Sequence, residues 1–167
     1  MAETNIKKYT AAARLNSMSV DVITDAPDIA EATYSTGDLM AEGGAVDNAT
    51  VVTGGKCILQ SITAIDTSDT GGAIRLIITP SSIDLGTVGS AVSTAAAAAD
   101  EALAIVDLTN WVDIGSAKVC TKGNIGVVCS SAAGSKALRY GIVNVSGGDI
   151  VIGSGEDIIF NFGLVKD

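Results

Sequence analysis

The sequence predicts an all-β chain, a single antiparallel β-sandwich of jelly-roll-like type with at most one short helix at about residues 94–107. Three observations carry that expectation. Apolar and polar side chains alternate with period two in short stretches from residue 17 to the C-terminus, as strands with one buried face do. Turn signals rich in Gly, Asp and Ser separate those stretches. The chain has 167 residues, is 47% hydrophobic and has a mean hydropathy of +0.43, which supports a sizeable core and excludes a disordered body. Many short strands joined by tight turns fit a sandwich or jelly roll better than a βαβ pattern.

Residues 1–16 show no periodicity long enough to fold alone and read as an extended N-terminal arm, with the sandwich spanning 17–167. Within it, Met18, Val20 and Val22 point one way while Ser17, Ser19 and Asp21 point the other. Residues 57–66 (CILQSITAID) carry apolar side chains on both faces. Ile74, Leu76 and Ile78 alternate with Arg75 and Thr79; Ile125, Val127 and Cys129 form a further run; Leu138, Tyr140 and Ile142 oppose Arg139 and Gly141. The last stretch sets Ile158, Phe160, Phe162 and Leu164 against Asp157, Asn161 and Gly163, which places both phenylalanines in the core. Turns are expected at 66–72 (DTSDTGG), 122–124 (KGN), 132–135 (AAGS), 146–149 (SGGD) and 153–157 (GSGED). The Ala- and Leu-rich segment 93–108 breaks the alternation, and Ser93, Thr94 or Asp100 is placed to cap a helix there.

Charge narrows the function. The net charge is −9 and the pI about 4.3, which argues against nucleic-acid binding, since that needs clustered Lys and Arg. Only 17% of residues are charged, a low share that points to surface buried by assembly. Residues 1–16 carry net +2 (Glu3 against Lys7, Lys8 and Arg14), so a basic segment precedes an acidic body. Histidine is absent, which removes His-based catalysis and His-ligated metal sites. The three cysteines, Cys57, Cys120 and Cys129, have no CxxC spacing and read as buried free thiols of a reducing compartment. The N-terminus lacks the apolar core of a signal peptide, and no run is long enough to span a membrane.

Motif by motif, local chemistry yields to turns and packing. TGGKC at 53–57 resembles a P-loop, but Thr50 stands where the first glycine belongs and Cys57 where a Ser or Thr would hold magnesium, so a hairpin turn is expected. Asp66 and Asp69 lack EF-hand spacing and read as an Asx turn. Glu156 and Asp157 are adjacent and face opposite sides of a strand, so they cannot share a proton. Asn48 and Asn144 match the glycosylation pattern without its compartment. Trp111 is expected as a core anchor, and with Tyr9, Tyr34 and Tyr140 it is too scattered to form a sugar-stacking platform. The expectation is no catalytic residue, no cofactor, no metal and no enzymatic activity.

The tract ATYSTGDLM at 32–40, followed by GGKCILQSITAIDTSDTGGAIRLIITP at 54–80, resembles capsid decoration proteins of tailed bacteriophages, also described as head-stabilising or cement proteins. ADEALAIVDL at 99–108, the strand at 122–128 and the ending FNFGLVKD at 160–167 fit the same pattern; Cys57 and the Ala-rich 95–99 run depart from it. The resemblance covers 32–167 and implies binding to the major capsid protein on the outer shell after assembly in the bacterial cytoplasm. It also implies self-association, as a homotrimer first and a dimer second; by charge and hydropathy no nucleic acid and no membrane is expected as a partner. The arm supplies the expected shell contacts: Ile6, Lys7, Lys8, Tyr9 and Arg14. Other readings are another virion part (head-fibre base, connector or tail component) and a host-attachment or carbohydrate-binding module.

Overall fold

Each alternating stretch contributes a strand in the computed structural model, which describes residues 19–93, 99–153 and 158–166. Twelve strands follow in chain order: β1 (Ser19–Asp25), β2 (Ala32–Tyr34), β3 (Leu39–Val46), β4 (Lys56–Asp66), β5 (Ile74–Thr79) and β6 (Ala104–Leu108), then β7 (Trp111–Asp113), β8 (Lys118–Lys122), β9 (Val127–Ser130), β10 (Leu138–Asn144), β11 (Ile150–Ile152) and β12 (Ile158–Lys166). Every ladder is antiparallel.

A six-stranded sheet runs β1-β12-β4-β8-β7, with β9 also pairing β4. β8 takes the Ile62–Asp66 half of β4 and β9 the Lys56–Leu59 half. The facing four-stranded sheet runs β3-β10-β5-β6, and β2 pairs β11 in a short ribbon. The orders β1-β12-β4-β8 and β3-β10-β5-β6 are those of an eight-stranded jelly roll, in which the first strand of one sheet pairs the last strand of the chain.

The core lies between the two sheets. β4 contributes Cys57, Leu59, Ile62 and Ala64, β5 contributes Ile74, Leu76 and Ile78, and β12 contributes Ile158, Phe160, Phe162 and Leu164. Tyr140 of β10 packs across the sandwich on Phe160 and Phe162, with ring centroids 5.6 and 5.2 Å away. Its ring lies over Gly44 of β3, where a Cβ would come within 2.4 Å of the ring, so only glycine fits. The Tyr140 hydroxyl donates to Asp25 Oδ2 at 2.6 Å, and the Ala45 N–H donates to the same oxygen at 3.0 Å. Burial, then the Asp25 carboxylate, holds the Tyr140 hydroxyl far above its ordinary pKa, so it stays a donor.

The helix expected over about 94–107 is corrected over its C-terminal part. Residues 104–108 form β6, paired with β5 from Ile78↔Ala104 to Ile74↔Leu108. Before it, one turn is closed by the Ala102 N–H on the Ala99 carbonyl at 3.1 Å, and 94–98 lie outside the described residues. Ala104, Val106 and Leu108 fill core positions along the edge of β5. Ladder bonds and burial there outweigh a helix propensity worth only about 0.7 kcal/mol per residue at most.

The long β5–β6 connection does a second job. Ile83, Leu85 and Val92 fold back over the outer face of the four-stranded sheet and cover Leu39, Ile77 and Val143 in a separate small core. Backbone bonds pin the loop: Leu39 N–H to the Ser90 carbonyl at 2.9 Å, Gly89 N–H to the Leu39 carbonyl at 2.8 Å, and Ser93 N–H to the Leu85 carbonyl at 2.9 Å. Leu85 is 2% exposed, its N–H donates to Glu42 Oε1 at 2.7 Å, and its side chain sits on Gly141 of β10, where a Cβ would be only 2.2 Å from Leu85 Cδ1.

Candidate functional site

The polar clusters singled out from the sequence hold turns together. The buried Asp66 carboxylate, at the end of β4, accepts from the Ser68 N–H at 2.9 Å, the Thr70 hydroxyl at 3.0 Å, the Gly71 N–H at 2.8 Å and the Ser68 hydroxyl. Asp69 lies 3.8 Å from Lys118 Nζ, which also donates to the Asp69 carbonyl at 2.6 Å. The 66–72 segment is therefore an Asx-type turn strapped to β8, and no cluster of metal-ligating side chains occurs among the described residues. TGGKC is also a turn: the Gly55 N–H bonds the Val52 carbonyl at 3.0 Å, Gly54 has φ +65°, and β4 begins at Lys56. Asn144 is fully buried, with its amide on the Tyr34 and Gly148 carbonyls at 2.6 and 2.9 Å.

All three cysteines are buried free thiols. Cys57 pairs Cys129 across β4–β9 and Lys166 across β4–β12. The Lys166 ammonium is held by Asp21 at 2.6 Å. Burial, reinforced by neighbouring Cys57, pushes the Cys129 thiol up to about 12. Tyr34, Tyr140, Phe160 and Phe162 are buried, and Trp111 packs partly buried against the core, as expected of an anchor. Its Nε1 is buried and lacks an acceptor among the described residues. On the flank between β6 and the β8–β9 turn, a cleft of about 420 Å³ includes Ile105, Lys122 and Ile125, and its Asp107 is bound bidentately by Arg75 at 2.6 and 2.9 Å. The expected shell contacts Ile6, Lys7, Lys8, Tyr9 and Arg14 lie outside the described residues, as do Glu156 and Asp157.

What the structure does assemble is a surface. In an antiparallel ladder, paired residues project from the same side, so register reads out the outer face of the six-stranded sheet row by row. One outer row is apolar: Val20–Val165–Ile58–Val128. The next is small and neutral: Val22–Gly163–Ser61. The third is polar: Thr24–Asn161–Thr63–Thr121. The fourth is apolar again: Ile159–Ile65–Val119–Val112. Val20, Val22, Val112 and Val128 are 77%, 70%, 62% and 60% exposed.

No residue of these four rows is charged, although the protein carries 19 acids and 10 bases. The polar row is partly paired within itself: the Thr24 hydroxyl donates to Asn161 Oδ1 at 2.6 Å, and the Thr63 and Thr121 hydroxyls share a bond at 3.0 Å. Covering it therefore strands few polar groups. Sequence reasoning found half of this surface. The two-faced run 57–66 supplies Ile58 and Ile65, but period two alone does not say that the valines of β1 face outward.

Comparison with known proteins adds little. No family model and no curated protein matches the chain. Among solved structures, a chain described as "Israeli acute paralysis virus heated to 63 degree - full particle" is similar at 12% identity, over 98% of this chain and 82% of that chain, with a TM-score of 0.26. A likeness that loose carries nothing over, and the jelly-roll assignment rests on strand order.

Proposed function

We propose that this chain is a structural virion protein, a decoration protein that binds the outer surface of a tailed-phage capsid and stabilises it. The observation that carries the reading is the pairing of a jelly-roll sandwich with four uncharged rows on its six-stranded sheet, on an acidic body. Such a molecule recognises by surface complementarity, and repetition over a shell turns modest contacts into strong avidity. Further support comes from the resemblance, whose two main tracts, 32–40 and 54–80, fall on β2 to β5. Its partners are the major capsid protein and further copies of itself. It works on the virion surface after assembly in the bacterial cytoplasm, and it performs no catalysis.

In this reading Lys7, Lys8 and Arg14 meet an acidic shell while Ile6 and Tyr9 fill apolar pockets. Exposed ion pairs contribute about 0–1 kcal/mol each, so the apolar anchors and repetition supply most of the binding. The test is occupancy on undecorated heads. Full-length protein saturates them, and a chain starting at Asn16 folds with an unchanged melting temperature but no longer binds. Full occupancy by the truncated chain removes the arm from the reading. Failure of the full-length chain to bind any phage head removes the reading itself.

A further inference from the structure

We infer that the outer face of the six-stranded sheet is a homotypic interface, on which a second copy of this chain packs sheet against sheet about a two-fold axis. The inference deepens the self-association proposed above and can fail without capsid binding failing.

Three features select a second copy as the occupant. The first is charge. Two molecules of net −9 repel wherever their acidic surfaces meet, and the four rows of this face offer a broad approach without a charged side chain. The second is pattern. The two outer rows are apolar and the two inner ones small or polar, so the face is close to symmetric about the line between the Gly163 and Asn161 rows. A two-fold axis lying along that line sets the Val20–Val128 row over the Ile159–Val112 row of the other copy. It also sets the small inner row over the polar one. An isologous contact requires this kind of self-complementarity. The middle of the small inner row is low, because Gly163 has no side chain and the Ser61 hydroxyl takes the place its Cβ would occupy, 2.3 Å away.

The third is area. Four rows at a two-residue spacing, three or four strands wide, cover about 500 Å² per copy. The pair then buries about 1,000 Å², the lower bound for a specific interface. The expected contact is thus at the small end of specific interfaces and reversible.

The experiment is sedimentation velocity on the full chain from micromolar to several hundred micromolar. A monomer–dimer equilibrium is expected. It tightens as salt rises from about 20 to about 500 mM, because salt screens the repulsion between acidic bodies while the interface has no ion pairs to lose. Val20→Asp with Val128→Asp places a carboxylate at each end of one apolar row. This double variant should weaken the dimer at least tenfold at an unchanged melting temperature. Val20→Asp alone, on an exposed edge position, serves if the double variant does not fold. A wild-type chain that stays monomeric at the highest concentration overturns the inference and leaves the face to residues 1–18 or to the shell. A dimer that survives these substitutions, or one that salt weakens, overturns it as well.

Discussion

The outer face of the four-stranded sheet presents Leu39, Ile77 and Val143, and that of the six-stranded sheet presents Ile58, Ile65, Ile159 and Val165, yet among the described residues the chain folds back over the first alone. The β5–β6 connection crosses the four-stranded sheet and buries Leu85 and Val143 there, and the uncovered remainder carries Arg75, Asp107 and Arg139 beside the exposed Ile105. On the six-stranded sheet no described loop folds back over the strands, and the rows from Val20 to Val112 stay open to solvent. Strand composition therefore does not decide which face of a sandwich is sealed. A long connection with apolar residues at the right places does, as Leu85 on the four-stranded sheet shows.

The largest expected effect lies on the covered face. Leu85→Ala should cost about 2–3 kcal/mol in chemical denaturation, the loss of a buried leucine plus the cavity it leaves. Gly141→Ala forces a methyl against the same Leu85 and should cost about 1–3 kcal/mol. In a Leu85→Ala background the second change should become nearly neutral, because the clashing methyl is gone. A full additive penalty in the double variant would mean that Leu85 does not seat on Gly141.

The second prediction compares the two sides of β9. Cys129 points into the core, and its thiol is pushed up from an ordinary 9.0 to about 12 by burial and by Cys57. A group kept neutral by folding contributes stability that is whole below its ordinary pKa and is lost as pH rises toward the folded value. The melting temperature should therefore decline between about pH 9 and pH 12. Cys129→Ala should lower the starting stability and make that decline shallower. An equally steep decline in the variant would assign the loss to other groups.

The smallest effect belongs to the open face. Val22→Thr, on a residue 70% exposed, should change stability by less than about 0.5 kcal/mol in the monomer. A loss of a kilocalorie or more would show that the face is already covered within one chain.

Much of the fold was legible from period two. The stretches around Val20, Ile62, Leu76, Tyr140 and Phe162 all became strands, and Phe160 and Phe162 joined the core. The turns at Asp66 and at Gly54–Gly55 were legible because Asx side chains and glycine act locally, within two to five residues. β6 was not, because Ala104 and Leu108 favour a helix locally and only the free edge of β5 makes a strand the better outcome. Nor was the cover over Gly141, since Leu85 lies far from it in sequence and nothing local marks the contact.

By itself the sequence determined the class of structure, the turns at 54–55 and 66–72 and the division into a basic first segment and an acidic remainder, because these follow from local backbone preference and from composition. Tertiary structure alone decided which side of each strand faces water. Alternation sorts side chains into two faces without saying which one is inside, and that choice depends on what packs above the sheet. β1 shows the difference most plainly: its valines form a regular stripe in the sequence, and pairing with β12 at the edge of the six-stranded sheet turns that stripe outward.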